Sequence, residues 1–157
     1  MTDNRTLWRL LIVHLAFVGI GAGLLAVDAV AVRYAVWSTV VGYNLFLPAY
    51  FFRSGDREVV DLWAFLLPLS LLQVLPDWYL SAVQQTLVFP TASDTFPVPL
   101  FMAGLWTLPL MVTTAFGIWV AWRWGTRLGY AAAIAAGLLV FGTGELALTR
   151  VGVWQAR

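Results

Sequence analysis

The sequence predicts an all-α, polytopic transmembrane helical bundle of about five helices. Three observations lead there. Apolar residues fill 61% of the 157 positions and charged residues 11%, against roughly 45–50% and about 25% in soluble domains. The apolar residues come in long uninterrupted runs instead of periodic faces, the pattern of a chain dissolved in lipid. Finally, the runs do not alternate apolar and polar residues, as the strands of a closed barrel, the other spanning solution, would. The length predicts a single domain over 1–157.

A helix needs about 20 apolar residues to cross the hydrocarbon core. The first candidate runs from Trp8 to Ala31, with His14 its one strongly polar interior residue before Asp28. The second covers 34–52, with Asn44 near its middle; the third covers 61–80. The fourth, 97–122, carries no charge, and the fifth spans 128–149. Pro48, Pro68, Pro76 and Pro109 interrupt them, which membrane helices tolerate better than soluble ones. The first run is too long for a signal peptide and lacks a small-residue cleavage site, so it reads as a helix that stays.

Every basic residue is Arg, and their distribution sets an orientation. Arg5, Arg9, Arg53, Arg57, Arg123 and Arg127 fall on one side, and Arg33, Arg150 and Arg157 on the other. The positive-inside rule then puts the N-terminus in the cytoplasm and the C-terminus outside. Trp78, Tyr79, Trp124 and Trp154 stand near predicted boundaries, where aromatic belts form. The loop Ser81 to Phe96 lacks Arg, as an outer loop should; its apolar part, Ala82 to Pro90, either lies in the interface or dips back into the membrane.

Several classes are excluded. A net charge of +1 offers no field for nucleic acid. Cysteine is absent, so disulfides and thiolate chemistry are out. One His makes a poor metal signal, and no zincin, P-loop, dinucleotide or nucleophile-elbow motif occurs; no metal and no cofactor is expected. His14 and Asn44 read as cross-helix hydrogen-bonding residues. Gly19 and Gly23, and the Ala131/Ala135 and Ala132/Ala136 pairs, have the spacing of close helix contacts, either within the bundle or as the seam of a homodimer.

Acidic residues inside the membrane are the sharpest feature. Asp61 and Asp77 are separated by about 22 Å of helix at 1.5 Å per residue, too short for both to reach headgroups across a core of about 30 Å. Asp77 is therefore expected below the outer surface, with Gln73 one turn earlier on the same face and Pro76 freeing backbone carbonyls nearby. Glu145, followed by Leu146, Ala147 and Leu148, is expected at similar depth, where it either pairs with Arg150 or faces a site. Asp28 falls near a helix end, where pairing with Arg33 or solvation accounts for it. Intramembrane carboxyls are costly and point by default to function.

The stretch Pro76-Asp77-Trp78-Tyr79-Leu80, then Phe89-Pro90, Pro97-Val98-Pro99 and Gly104-Leu105-Trp106-Thr107-Leu108-Pro109, has the look of a signature. It resembles a family of small multi-pass membrane proteins, common in photosynthetic bacteria, with no established function. More remotely it is similar to carotenoid hydratases and integral-membrane carotenoid or terpene cyclases. Glu145 with Trp154 looks like a second acid-then-Trp element. The resemblance covers about Leu75 to Trp154 and implies further helices beyond Arg157, so that this chain reads as a shortened member with an incomplete site.

Two functional readings follow. In the first, the helices bind a hydrophobic small molecule, an isoprenoid or a lipid. Asp77 and Glu145 are then candidate catalytic acids, and Gln73, Trp78, Tyr79 and Trp106 candidate ligand contacts. Desolvation favours the protonated form of a carboxyl in general, a protonated carboxyl can donate to an alkene, and aromatic faces stabilise the resulting cation; an enzyme of this kind would be an acid-catalysed cyclase or hydratase. In the second, the chain is a structural or assembly subunit of a larger membrane complex. A transporter or channel ranks last, because no polar face runs along several helices. The bilayer itself is a partner in every case.

Overall fold

The computed structural model describes residues 3–27, 31–92 and 95–157. Five helices are long and apolar enough to cross a membrane: α1 (Asn4–Leu25), α2 (Val32–Ser54), α3 (Arg57–Val83), α4 (Met102–Trp124) and α5 (Thr126–Arg150). Two short strands, β1 (Leu87–Val88) and β2 (Gln155–Ala156), pair antiparallel. The helices alternate in direction, so the chain start, the 55–56 turn and Gly125 share one end, here the N-side. The other turns, the β pair and the C-terminus share the opposite C-side.

Local chemistry explains most boundaries. Asp3 caps α1 by accepting from Arg5 N–H at 3.0 Å. Gly55, at φ 82°, ends α2 in the left-handed conformation that suits glycine. Because that turn is tight, α3 starts at Arg57, four residues before the position expected from Asp61. Asp28 and Ser93 lie outside the described residues.

Two polar clusters fasten the N-side. Asp56 accepts from Thr6 Oγ1 at 2.8 Å, Arg9 Nη1 at 3.0 Å and Ser54 Oγ at 3.2 Å. Asn4 Oδ1 accepts from Trp119 Nε1 at 2.9 Å and Arg123 Nη2 at 2.7 Å, joining α1 to α4. Deeper, Asn44 joins three helices: its Nδ2 donates to Gly104 O at 3.1 Å and Val40 O at 2.9 Å, and its Oδ1 accepts from Trp63 Nε1 at 3.1 Å. Such bonds are the cross-helix fastening available where lipid offers none. The core centres on Tyr43, Leu47 and Phe51 of α2, against Leu10, Val59 and Met111.

Small residues let helices approach, though not at the expected positions. Around Gly19 and Gly23 a Cβ would meet nothing within 4 Å; it is Gly21 that packs on Thr39. The α4–α5 seam is built from Gly117, Ala121, Gly129 and Ala133: a Cβ on Gly117 would lie 2.7 Å from that of Ala133, and one on Gly129 would collide with Ala121. Ala131 and Ala135 stay exposed. Apart from Gly129, α5 buries no residue fully.

Candidate functional site

Proline shapes both segments that meet near the C-side. Along α3 the regular pattern breaks at Gln73, resumes over Val74–Trp78, and widens to a π-helix over Tyr79–Val83. Pro76 has no N–H to give to the preceding turn, which accounts for weakened helical bonding here; the Asp77 N–H reaches Gln73 O only at 3.4 Å. In α4 the break falls at Trp106, three residues before Pro109. Breaks of this kind, and π turns especially, gather at functional sites.

Asp77 is 7% exposed and its Oδ2 has no hydrogen-bond partner. The Trp106 indole lies beside the carboxyl, close enough to attract it, but Nε1 does not reach the distance and angle of a formed bond. Glu145 is near enough for its charge to act on Asp77. Both acids stand toward the C-side, Asp77 on α3 and Glu145 on α5, with Trp106 of α4 beside Asp77.

Glu145 Oε2 accepts from Trp154 Nε1 at 3.1 Å, so its partner is the tail indole and not Arg150. The tail is held in turn. Gly152 (φ 77°) reverses the chain after α5, and Val153 N–H returns to Leu148 O at 2.9 Å. The strand pair sets Val88 opposite Gln155, and Arg157 N–H reaches Thr86 O at 3.0 Å. Trp154 packs edge-on against Phe89, with centroids 6.2 Å apart, and both are buried. The apolar loop after α3 is therefore a folded cover, its strand bonds satisfied by the tail.

A cavity of about 640 Å³ lies between α1, α2, α4 and α5, with Trp154 of the tail in its wall. Its wall is mostly aliphatic, with Trp106 stacked on Phe141 at 5.4 Å. Glu145, Trp106 and Trp154 line it near the C-side, and His14 and Thr39 line it deeper. Asp77 sits behind the Trp106 wall and does not line it. Trp78 (41% exposed) and Tyr79 (47%) face outward, the Tyr79 hydroxyl accepting from Gln84 Nε2 at 3.2 Å; Gln73 is half-buried at the break. None of these three lines the cavity, and neither does any other residue of α3.

His14 differs from the cross-helix hydrogen bond expected of it. Its Nδ1 has no partner, and its ring meets α2 edge-on at Tyr43, centroids 5.9 Å apart. Among the described residues no group of three His, Cys, Asp or Glu could hold a metal ion.

Residues 74–157 match the sequence model of a family described as Domain of unknown function (DUF6989), just over half of the chain. The chain belongs to that family. No curated protein and no solved structure matches it. The DUF6989 region takes in Asp77, Trp106, Glu145 and Trp154 together with the β pair; α1 and α2, with His14 and Thr39, lie outside it. The cavity is thus composite: Glu145 and the two indoles come from the DUF6989 part, and the facing wall from the first two helices.

Proposed function

We propose that this chain is a multi-pass membrane protein that holds a hydrophobic small molecule, an isoprenoid or a lipid, in the cavity between α1, α2, α4 and α5. The cavity itself carries the reading. At about 640 Å³ it falls within the usual range for small-ligand sites, roughly 300–1,000 Å³, and it has their composition, an apolar wall with few polar groups. With six Arg on the N-side against three on the C-side, the N-terminus is cytoplasmic.

The sharper form of the proposal is acid chemistry. A protonated Glu145 gives its proton to an alkene carbon, whose π electrons form the new C–H bond. The cation faces the rings of Trp106 and Phe141. It either loses a neighbouring proton to the carboxylate, which moves the double bond, or is first attacked by the π electrons of a second alkene in the same molecule. That attack forms the ring's C–C bond and a new cation, which loses its proton to the carboxylate. Alternatively the first cation adds water, whose spare proton returns likewise. Glu145 is the catalytic candidate because it lines the cavity. Asp77 acts through Trp106 as a positioning residue.

The test is purification in mild detergent, followed by extraction and mass spectrometry. A retained isoprenoid or lipid supports the reading. If turnover of that compound is found, Glu145→Gln should abolish it and leave retention intact. A second reading, an assembly subunit, draws on α5, which packs chiefly on α4 and leaves most of its surface free. Stoichiometric copurification with other membrane subunits and no bound small molecule would favour it.

A further inference from the structure

Glu145 and the indoles are not the cavity's only polar groups. His14 is 9% exposed, lines the deep part of the same cavity, and leaves Nδ1 without a partner. Tyr43, behind it on α2, is fully buried and its hydroxyl is likewise unpartnered. Thr39 lines the cavity one turn from Tyr43; its hydroxyl donates to Ala35 O at 2.8 Å, leaving oxygen lone pairs free to accept. Buried polar groups in hydrocarbon have no water to fall back on, so unpartnered ones are costly. Here two such groups, the His14 imidazole and the Tyr43 hydroxyl, lie together beside Thr39, and the imidazole opens onto the cavity.

Depth separates this place from Glu145. His14 precedes the end of α1 at Leu25 by about 16 Å of helix, and Glu145 precedes the end of α5 at Arg150 by about 8 Å. Both ends lie on the C-side. The cavity therefore has two polar points at different depths, with aliphatic side chains such as Val18, Leu108 and Val140 in its wall.

We infer that the ligand carries two oxygen groups, one at each end of an apolar body. One meets Glu145 and the two indoles, and the other, a hydroxyl or carbonyl, hydrogen-bonds His14. An uncharged imidazole offers one donor and one acceptor, which suits a hydroxyl on both counts and a carbonyl on one. A ligand with a bare hydrocarbon tail would leave His14 unpaired. This inference rests on the proposed ligand cavity and adds the chemical class of its occupant.

The test uses dodecane-1,12-diol and dodecan-1-ol as probes, added to the purified full chain in detergent, with binding read by native mass spectrometry. The wild type should bind the diol about tenfold more tightly, on the order of one good buried hydrogen bond. His14→Phe should erase that preference. His14→Gln, which can still hydrogen-bond, should keep part of it. His14 is the chain's one histidine, so ¹⁵N-histidine labelling of the wild type gives a readout that needs no variant. The imidazole resonances should move with the diol and stay in place with dodecan-1-ol. Equal binding of the two probes, a preference that survives in His14→Phe, or unmoved resonances at saturating diol would overturn the inference while the cavity stands. A wild type that binds neither probe would overturn the cavity and the inference together.

Discussion

Trp154 donates its indole N–H to Glu145 across 3.1 Å, and this bond ties the C-terminal tail to α5 at the wall of the cavity. The tail is short and its strand pair has two residues on each side, so side-chain anchors must hold it in place.

Trp154→Phe keeps an aromatic ring against Phe89 and removes the donor. A hydrogen bond to a charged or strongly polar group contributes about 1.5–3 kcal/mol in water, and measured cross-helix values in membranes are nearer 0.6. Thermal stability should therefore fall by only about 1 kcal/mol. The larger effect should be local: amide exchange at Gln155 to Arg157 should speed up markedly relative to α2. Unchanged exchange in the tail would show that the bond does not anchor it.

Asn44 should be the most sensitive polar residue in the bundle. Asn44→Leu leaves Trp63 Nε1 without its partner and takes the Asn44 amide from Gly104 O, which keeps the Trp106 N–H; a buried orphan costs about 1–3 kcal/mol. We expect a clear loss of thermal stability in detergent, beyond that of any single change at Trp78 or Tyr79, both of which face outward. A neutral Asn44→Leu would contradict the three-helix junction.

Glycine substitutions should sort by packing. Gly129→Ala places a methyl against Ala121, and Gly117→Ala one against Ala133; crowding of a tight seam typically costs about 1–3 kcal/mol. Gly19→Ala and Gly137→Ala enter open space and should be neutral or mildly stabilising, since Ala is the better helix former. Melting temperatures of the four variants decide the matter. Destabilisation at Gly19 equal to that at Gly129 would mean that Gly19 meets a second copy of the chain.

What could be read from the sequence follows from where the signal lies. Five apolar runs need nothing but length and hydropathy, so the helices were legible to within a few residues. Asn44 was legible as cross-helix fastening, since a lone amide in hydrocarbon has few other uses. The seam was not. Gly117, Ala121, Gly129 and Ala133 are spaced by four like several other small pairs, and only helix rotation selects among them. The site was half legible. Depth arithmetic brought Asp77 and Glu145 to one level, but which side chains of α3 face the cavity depends on helix rotation, and none does. The indoles that actually neighbour the acids are Trp106 and Trp154. The fold-back that delivers Trp154 rests on a two-residue strand too short to leave a pattern.

Topology gives a direct check on the bundle. Ser54 lies at the N-side end of α2, and Thr86 in the loop after α3. Cysteines at these positions in the cysteine-free chain should react with a membrane-impermeant maleimide from opposite faces, Ser54→Cys from the cytoplasm. Reaction of both from one face would contradict three crossings before that loop.

The central claim is that the cavity is occupied by a hydrophobic small molecule, and Gly144 offers the most direct test. It lines the cavity, and a Cβ there meets nothing within 4 Å. Gly144→Leu should therefore fill space that the ligand uses without disturbing the bundle. The measurement is the amount of isoprenoid or lipid extracted per mole of purified protein, wild type against Gly144→Leu, at matched melting temperature. The wild type should yield a near-stoichiometric compound, reduced at least tenfold in the variant. A wild type with no such compound, or equal retention by the two proteins, would contradict it.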